Sequence, residues 1–258
     1  MGQTARKPEI VSLVHRDGKV TVDGLVTHFR VTPQTIRRDL TELAEDGRLE
    51  RVHGGAVLPS ATVNIGYSER ARLNQSAKAD IARACAQAIP NDCAVFLNIG
   101  TTTEAVAKEL LNHRGLLVVT NNINIAMILS AAKGIETVVT GGHLRRTDGG
   151  LIGELAKETI TQFRFDISVI GCSALGEDGS ILDYDMQEVG VSKSILAHSE
   201  RVFLAADATK FARKAPARIG TVAQVDTVFT NAPPPSNFAA FCAENRVDIG
   251  LCQNSAGA

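Results

Sequence analysis

The spacing of apolar residues over the first sixty positions predicts three short helices. Ile10, Leu13 and Val14 recur at intervals of three and four, which is typical of one buried helix face. The same spacing predicts a second helix over 22–29 and a third over 33–46. Three helices in so short a stretch, each with one apolar face, indicate a small module with its own core.

The third helix has clear end signals, and a hairpin follows it. Thr32 suits the N-cap position, and Pro33 suits the first helical turn, where its missing N–H costs nothing. Gly47 is the expected C-terminal stop. Over 48–58, apolar and polar residues alternate around a glycine turn at 53–55, which predicts two short strands. Three helices followed by a β-hairpin is the order of a winged helix-turn-helix.

The pattern changes after a polar stretch that contains Pro and Gly. Short apolar runs then alternate with helical stretches such as 77–89, which predicts a parallel sheet covered by helices on both faces. The predicted strands are 94–97, 116–120, 137–139, 167–170, 202–206 and 227–230. We therefore divide the chain into a winged helix-turn-helix at 1–58, a linker at 59–74 and a larger α/β domain at 75–258.

Composition narrows the class of protein. The 258 residues are 44% hydrophobic and 21% charged, so a packed core is expected and bulk disorder is excluded. No apolar run approaches the roughly 20 residues of a membrane-spanning helix, and the first residues lack the apolar core of a secretory leader. We expect a cytoplasmic protein that does not contact a membrane.

Cysteine usage and charge exclude further classes. The five cysteines are scattered, with no C-x-x-C pair, so neither a disulfide framework nor a zinc ribbon is expected. The net charge is −1, and residues 1–60 hold nine Lys and Arg against eight Asp and Glu. Any binding to nucleic acid must therefore depend on the local placement of cations.

The third helix presents a candidate DNA-reading surface on the face opposite its core side. Ile36, Leu40 and Leu43 share the core side, and Arg38 lies diametrically opposite. Arg and Gln side chains make bidentate contacts with guanine and adenine edges in a major groove, and a cation on the hairpin can lie along the adjacent phosphates. The predicted DNA-contacting residues are Thr32, Gln34, Thr35, Arg37, Arg38, Thr41, Arg51 and His53.

The competing interpretation of this helix is an ordinary solvated face. Four acidic residues of the same helix fit that interpretation: Asp39, Glu42, Glu45 and Asp46. The hairpin beside the helix favours the DNA interpretation, because Arg51 and His53 supply cations there.

Three strand ends in the predicted sheet carry polar, glycine-containing loops. Gly100 follows the strand at 94–97 and leads through three threonines into a helix, and exposed N–H groups at a helix N-terminus bind anions. The next strand ends at Asn121 and the third at Gly142. Because the carboxyl ends of parallel strands meet at one edge of a sheet, we expect a ligand site there. Simple N-capping by the threonines is the alternative.

Charged residues near these and later loops extend the candidate ligand site. Arg145 or Arg146 suits a bidentate clamp on a phosphate, although a solvated arginine pair is the simpler explanation for either one taken singly. Six further charged residues lie near loops that follow apolar strands: Asp183, Asp185, Glu188, Lys193, Asp207 and Lys210. Surface ion pairs are the alternative for each of them taken singly.

Two motifs carry a family resemblance. Thr35–Leu40 reads TIRRDL and His53–Ala56 reads HGGA, and this pairing, with a helix-turn-helix from Val20 to Asp39, resembles the DeoR family of bacterial transcriptional repressors. The resemblance extends over almost the whole chain. It implies an effector domain similar to phosphosugar isomerases of the ribose-5-phosphate isomerase class, which binds a phosphorylated sugar or polyol. By position it implies these effector-binding residues: Gly100, Thr101, Thr102, Thr103, Asn121, Gly142, Arg145, Asp148, Gly149, Glu188, Lys193, Asp207 and Lys210.

The expected function is repression that a metabolite relieves. The resemblance implies a homo-oligomer, dimer or tetramer, that binds double-stranded operator DNA and is released by a phosphorylated ligand. Glycerol 3-phosphate is the favoured ligand and another sugar phosphate the alternative; no catalytic residue, metal or cofactor is expected. The competing interpretation is an active sugar-phosphate isomerase with a DNA-binding module, in which Glu188 acts as a base and Lys193 stabilises an enediolate.

Overall fold

The chain folds into two compact units, Met1–Leu73 and Asn74–Ala258, which are described in turn. The computed structural model describes residues 3–17, 19–57 and 66–252. The predicted linker at 59–74 falls outside the described residues up to position 65. Beyond that position, Tyr67–Arg72 forms a helix, so this part of the predicted linker is not an irregular connection.

The first unit is a winged helix-turn-helix, as the apolar spacing predicts. Its elements, in chain order, are α1 (Gln3–Asp17), β1 (Lys19–Thr21), α2 (Val22–Phe29), α3 (Pro33–Glu45), β2 (Glu50–Val52), β3 (Gly55–Val57) and α4 (Tyr67–Arg72). The spacing does not predict β1, whose three residues are too few to show an alternating pattern. This strand pairs antiparallel with β3, so the wing is a three-stranded sheet in the order β1-β3-β2.

The ends of α3 lie at the residues that the sequence marks. The Thr32 hydroxyl accepts a hydrogen bond from the N–H of Thr35 at 3.2 Å, and Pro33 takes the first position of the helix. Gly47 follows the helix with a φ of 70°, the left-handed conformation of a C-terminal stop. Buried apolar residues from all three helices form the core of the module, among them Ile10, Leu25, Ile36, Leu40 and Leu43.

The two glycines of the wing have different roles. Gly54 forms the hairpin turn at a φ of 75°, a conformation that favours glycine. Gly55 pairs with Thr21 of β1, and a Cβ atom at Gly55 would lie 1.9 Å from the main-chain oxygen of Val20. Only a residue without a side chain allows β1 and β3 to approach this closely.

The second unit alternates strands and helices, as predicted. Its strands are β4 (Ala94–Leu97), β5 (Leu116–Thr120), β6 (Ile135–Val139), β7 (His143–Arg145), β8 (Gly150–Ile152), β9 (Phe165–Ile170), β10 (Ala174–Leu175), β11 (Ser180–Asp183), β12 (Ser199–Ala205), β13 (Ala217–Thr221), β14 (Thr227–Thr230) and β15 (Asp248–Leu251). Its α-helices are α5 (Gln75–Gln87), α6 (Thr101–Glu109), α7 (Ile123–Leu129), α8 (Glu154–Thr161), α9 (Met186–Ala197) and α10 (Ser236–Glu244). Short 3-10 turns occupy Leu110–Asn112, Ala208–Ala212 and Val222–Gln224.

Seven of these strands form one parallel sheet in the order β15-β14-β12-β9-β4-β5-β6. All six predicted strands lie in it, and the predicted fold class is confirmed. Helices cover both faces: residues of α5, α6 and α7 pack on one face, and residues of α8, α9 and α10 pack on the other. Burial on both faces explains why the strands read as apolar runs and show no alternation.

The strand order creates a switch point between β4 and β9. From β4 the chain proceeds outwards through β5 to β6, whereas from β9 it proceeds in the opposite direction through β12 and β14 to β15. Loops that leave the carboxyl ends of β4 and β9 therefore turn to opposite faces and open a crevice between them. Parallel α/β sheets bind ligands at such a point.

Two small antiparallel sheets lie outside the main sheet, and the sequence pattern does not predict them. One is the hairpin of β7 and β8, and the other joins β10, β11 and β13. Among the described residues, no helix combines the length and the apolar character needed to cross a membrane. The five cysteines are free thiols.

Candidate functional site

The outer face of α3 carries the polar residues that the helical spacing assigns to it. Gln34, Arg37 and Arg38 are exposed, whereas Thr35 and Thr41 are half-buried. The opposite face belongs to the module core. The helix therefore presents a guanidinium pair and an amide outwards from one rigid element, which suits contacts with base edges.

Arg38 is oriented by an acidic neighbour one turn further along α3. Its Nε lies 2.8 Å from Oε1 of Glu42, although 74% of the Arg38 side chain is exposed. Lys7 of α1 binds the other oxygen of Glu42, and hydrogen bonds from Lys7 and Arg38 lower the pKa of Glu42 to about 2. Glu42 is thus an ionised anchor that holds a cation of the candidate DNA face in place.

Asp39 does not lie on a solvated face, and that part of the alternative interpretation is wrong. Its side chain is 1% exposed and forms an ion pair with the buried guanidinium of Arg6. The hydrogen bond that Arg6 donates to Asp39 is the main cause of a raised pKa at Arg6. The aspartate of the TIRRDL motif joins α1 to α3 and makes no contribution to the exposed surface.

Arg51, which the sequence predicts to contact phosphate from the wing, is turned towards α3. Nη1 of Arg51 donates hydrogen bonds to the main-chain oxygen of Arg37 at 3.0 Å and to Oγ1 of Thr41 at 3.2 Å. His53 is exposed at the hairpin turn. The structure therefore gives Arg51 a contact with the recognition helix and leaves His53 as the outward-facing wing residue.

Thr32, also predicted to contact DNA, is exposed at the N-cap of α3, where its hydroxyl pairs with that of Thr35 at 2.9 Å.

The predicted phosphate loop lies at the switch point of the second unit. Gly100 has a φ of 139° and occupies the N-cap position of α6, where a glycine offers no side chain to the first N–H groups of the helix. Thr103 is buried and donates to the main-chain oxygen of Gly100 at 2.8 Å, so its hydroxyl has a structural role. Thr102 is also buried, and Thr101 is half-buried. The N–H groups at the start of α6 remain the part of the loop suited to an anion.

The hairpin of β7 and β8 folds against the next strand ends. Asn121 is fully buried; its amide donates to the main-chain oxygen of Leu151 at 3.2 Å, and its Oδ1 has no hydrogen-bond partner among the described residues. The main-chain oxygen of Gly149 accepts from the N–H of Ile123 at 3.0 Å. Gly142 lies close to the backbone of the same hairpin at β8. The structure thus brings these three predicted positions together at one edge of the sheet.

Arg145 is not available as a phosphate clamp in this structure. Its guanidinium binds both oxygens of Asp148 at 2.9 and 2.7 Å, and it also binds Asp185 and Glu188 at 2.6 Å each. Burial lowers the pKa of Arg145, but its hydrogen bonds to Asp148 and the negative charge of Glu188 outweigh that effect and raise the pKa. The sequence predicts a clamp on phosphate, whereas the structure shows Arg145 bound to three acidic side chains from two segments, the loop at Asp148 and the start of α9.

Among the carboxyl groups of this network, Glu188 is the one whose ionisation the surroundings oppose most strongly. It is 7% exposed. Burial, together with the like charge of Asp183, raises its pKa to about 8 in spite of the opposing effect of Arg145. Asp183 is itself held by a hydrogen bond from the Ser173 hydroxyl at 2.8 Å.

Lys193 does not join this network. It lies on the exposed side of α9 and lines a groove with Arg218 and Gln224 of the β13 region. The residue of α9 that faces the sheet edge is its neighbour Ser192, whose hydroxyl accepts a hydrogen bond from Asn98 at 3.0 Å. The assignment of Lys193 to the ligand site stays a prediction, and the structure places its side chain in the groove and not in the Arg145 network.

Asp207 and Lys210 form a further cluster at the carboxyl end of β12, the strand that lies next to β9 in the sheet. Asp207 is 3% exposed and accepts a hydrogen bond from the amide of Asn74 at 3.0 Å. Burial raises the pKa of Asp207, but the charges of Lys210, Arg213 and Lys78 and a hydrogen bond from Thr209 together lower it. Three cations therefore act on one buried carboxylate, which stays ionised.

Sequence reasoning missed several polar residues of these clusters, among them Asn98, Asn74 and Lys78. Asn98 directly follows β4 and had the same signal as the predicted loop residues, namely a polar side chain at a strand end. Asn74 and Lys78 lie at the start of α5, far along the chain from any strand end, and no local pattern marks them. Over residues 3–17, 19–57 and 66–252, no group of three or more His, Cys, Asp or Glu side chains is arranged to hold a metal ion.

Comparison with protein families gives two matches that together span most of the chain. Residues 6–62 match the model described as the DeoR-like helix-turn-helix domain. Residues 73–232 match the model described as the DeoR C terminal sensor domain. The two matches meet close to the boundary between the two compact units.

Curated relatives match over nearly the whole length. The glycerol-3-phosphate regulon repressor of Escherichia coli is 44% identical over 252 residues, which is 98% of this chain and all of that protein. The protein of the same name from Haemophilus influenzae is 42% identical over 98% of each chain. The HTH-type transcriptional repressor CsqR of Escherichia coli is 36% identical over 97% of this chain and 96% of that protein.

Solved structures give weaker likenesses. Ribose 5-phosphate isomerase from Plasmodium falciparum matches 54% of this chain and 53% of that chain, with 13% identity and a TM-score of 0.40. eIF2B beta from Chaetomium thermophilum matches 66% of this chain and 54% of that chain, with 16% identity and a TM-score of 0.48.

Proposed function

Because the chain belongs to the DeoR family of transcriptional regulators, we propose that it represses the genes of a glycerol-3-phosphate regulon. The family match includes the helix-turn-helix domain, so the chain is a DNA-binding repressor. The names of two relatives at 44% and 42% identity support the choice of regulon. The same names favour regulation over the alternative of an active isomerase.

The observation that carries the proposal is the exposed polar face of α3. Gln34, Arg37 and Arg38 point outwards from a helix whose other side is locked into the module core. We assign these side chains to base edges in a major groove and the N-terminal end of the helix, with Thr32, to phosphate. We assign His53, which is exposed at the hairpin turn, to the adjacent phosphate backbone. A single small module buries limited surface, so a homo-oligomer on repeated half-sites is part of the proposal.

The proposed inducer is glycerol 3-phosphate, bound at the switch point between β4 and β9. The start of α6 offers N–H groups to the phosphate. The ionised Asp207 and the unpaired oxygen of the buried Asn121 offer acceptors to hydroxyl groups. The ligand releases the operator only if it binds more tightly to a conformation with poorer operator geometry. No further cofactor is needed for this action.

Geometry gives a further reason to set the isomerase aside. The base assigned to that reaction, Glu188, is engaged by Arg145 at 2.6 Å. Its assigned partner Lys193 is on the exposed side of the same helix. The two groups do not converge on a common reacting atom, as general acid–base catalysis requires.

An operator titration with and without ligand tests the proposal. A labelled duplex from upstream of glycerol-catabolic genes is titrated with the full-length protein at fixed salt, against a scrambled duplex of equal length. We expect preferential binding to the first duplex and its loss on addition of glycerol 3-phosphate but not of glycerol. Equal binding to both duplexes contradicts the repressor assignment. Release by ribose 5-phosphate alone contradicts the assigned inducer.

A further inference from the structure

The connection between the two compact units enters the second unit beside the candidate ligand site. Helix α4 ends at Arg72, and Asn74 follows in the left-handed conformation, with a φ of 53°. The chain boundary between the units falls between Leu73 and Asn74. Asn74 then begins α5, as its main-chain oxygen accepts from the N–H of Lys78 at 2.9 Å. The left-handed conformation of Asn74 therefore sets the direction in which the chain enters α5.

That residue is fixed by a ligand-site carboxylate from far along the chain. The amide of Asn74 donates to Oδ1 of Asp207 at 3.0 Å, across 133 positions of sequence. Each hydrogen bond that the Asp207 side chain accepts from the described residues reaches Oδ1; the donors are the amide of Asn74 and the N–H and hydroxyl of Thr209. The other oxygen is left for a further donor.

The charges around Asp207 fit the chemistry of a phosphorylated polyol. Lys210 and Arg213 act on it from its own loop, and Lys78 acts on it from the first turn of α5. An anionic ligand drawn to these cations brings hydroxyl groups beside the carboxylate. A hydroxyl that donates to Asp207 withdraws negative charge from Oδ1 and weakens its bond to Asn74.

We infer that the Asn74–Asp207 hydrogen bond is the positioning contact through which the ligand acts on the joint between the units. This inference rests on the proposed function, because it takes ligand binding and operator binding to be antagonistic. A contact that the ligand weakens must belong to the conformation that binds the operator. Asn74 is thus a positioning residue that acts through Asp207 and touches neither DNA nor ligand.

The first test replaces Asn74 with glycine in the full-length protein. Asn74→Gly removes the amide and keeps a left-handed backbone without strain. We expect operator affinity without ligand to fall by about fivefold or more, the lower end of usual allosteric couplings. We expect the affinity for glycerol 3-phosphate, measured by calorimetry, to rise. Opposite changes at the two sites are the signature of a shifted equilibrium, which loss of structure does not produce.

Two further variants sharpen the result. Asn74→Asp also tolerates a left-handed backbone but presents an acceptor to Asp207, so operator affinity falls in the same direction. Asp92→Gly is the matched control: Asp92 is also left-handed, with a φ of 59°, and it precedes β4 at the opposite edge of the sheet. We expect the control to behave as the wild type at both sites.

The outcomes separate this inference from the function on which it rests. If both affinities of Asn74→Gly fall together, or neither changes, the positioning role is refuted. If the wild type does not respond to glycerol 3-phosphate, the proposed inducer is wrong. In that case, a wild-type operator affinity in Asn74→Gly refutes the contact independently, and a selective loss of operator affinity supports it.

Discussion

Nη1 of Arg51 in the wing lies 3.0 Å from the main-chain oxygen of Arg37 in α3 and donates a hydrogen bond to it. A second bond from the same nitrogen reaches the hydroxyl of Thr41. Arg51 of the wing therefore braces the recognition helix α3. This geometry assigns Arg51 a different effect on DNA binding from that of a phosphate-contacting arginine.

Arg51→Ala should reduce operator discrimination and leave the salt dependence of binding unchanged. A phosphate contact removed from the interface lowers the slope of log affinity against log salt by about one. A brace removed from α3 instead misplaces base-reading side chains at every salt concentration. Titrations of operator and scrambled duplexes at four salt concentrations separate the two effects. A slope lowered by about one unit would show instead that Arg51 contacts a phosphate.

Arg38→Ala should abolish most of the preference for operator DNA. The side chain is 74% exposed on the outer face of α3 and is oriented by Glu42, and one good base contact is worth roughly 1–3 kcal/mol of discrimination. Binding of glycerol 3-phosphate should not change. Arg83→Ala is a matched control, because Arg83 forms a comparable helical ion pair with Asp80 in the second unit. A preference that survives in Arg38→Ala at matched salt shows that another face reads the bases.

Thr101→Glu should give a repressor that no longer responds to its ligand. Thr101 is half-buried at the start of α6, so the carboxylate occupies the place proposed for the phosphate and repels it. Thr101→Gln has the same size without the charge and should retain release. Operator titrations of both variants, with and without glycerol 3-phosphate, provide the comparison. Release of Thr101→Glu at the wild-type ligand concentration rules out this loop as the phosphate site.

Glu188 should make the second unit less stable as pH rises from about 5 to 9. Burial and the charge of Asp183 raise its pKa from 4.5 to about 8, so the folded state holds a proton in this interval that the unfolded state has lost. The stabilising contribution is complete below 4.5 and disappears as pH passes 8. Glu188→Gln should therefore gain in Tm relative to the wild type between pH 6 and pH 9. Glu154→Gln, at an 80% exposed position, is the control; parallel Tm curves for Glu188→Gln and the wild type would contradict the shift.

Asp39→Ala should destabilise the first unit, because it leaves the guanidinium of Arg6 buried without a partner. Breaking a buried ion pair on one side costs roughly 3–5 kcal/mol. Hydrogen exchange at α3 amides in the full-length protein measures the local loss, with amides of β9 as an internal reference. The double variant Arg6→Met with Asp39→Leu should recover most of the protection. Full protection in Asp39→Ala would mean that the pair contributes little.

Most of the fold could be predicted because its signals are local. The α3 caps at Thr32 and Gly47 and the apolar runs of the six predicted strands depend on neighbours in sequence. The strand β1 could not be predicted, since its pairing with β3 is set by the close approach at Gly55. The hairpin of β7 and β8 was missed because its strands are three residues each, too short to show an alternating pattern.

The sequence predicted where the candidate sites lie better than it predicted which groups their side chains contact. Strand ends located Gly100, Asn121 and Asp207, because topology alone brings them to one edge. The partners of charged groups are a property of three-dimensional packing, so Arg145 and Arg51 were assigned to phosphate although the structure gives both to protein groups. Lys193 lies outside the Arg145 network, because one residue along a helix changes the direction of a side chain by about 100°.

The absence of room at Gly55 has a consequence for how the protein meets operators of different spacing. The wing is packed against β1 at a distance that admits no side chain, and the N–H of Val22 at the start of α2 donates to the main-chain oxygen of Gly54 at 2.8 Å. The wing and the recognition helix α3 therefore form one rigid module. In the proposed oligomer, tolerance for half-sites that lie closer together or further apart would therefore have to come from outside this module. A change in the number of residues that follow Val57 should then change which half-site spacings the protein binds.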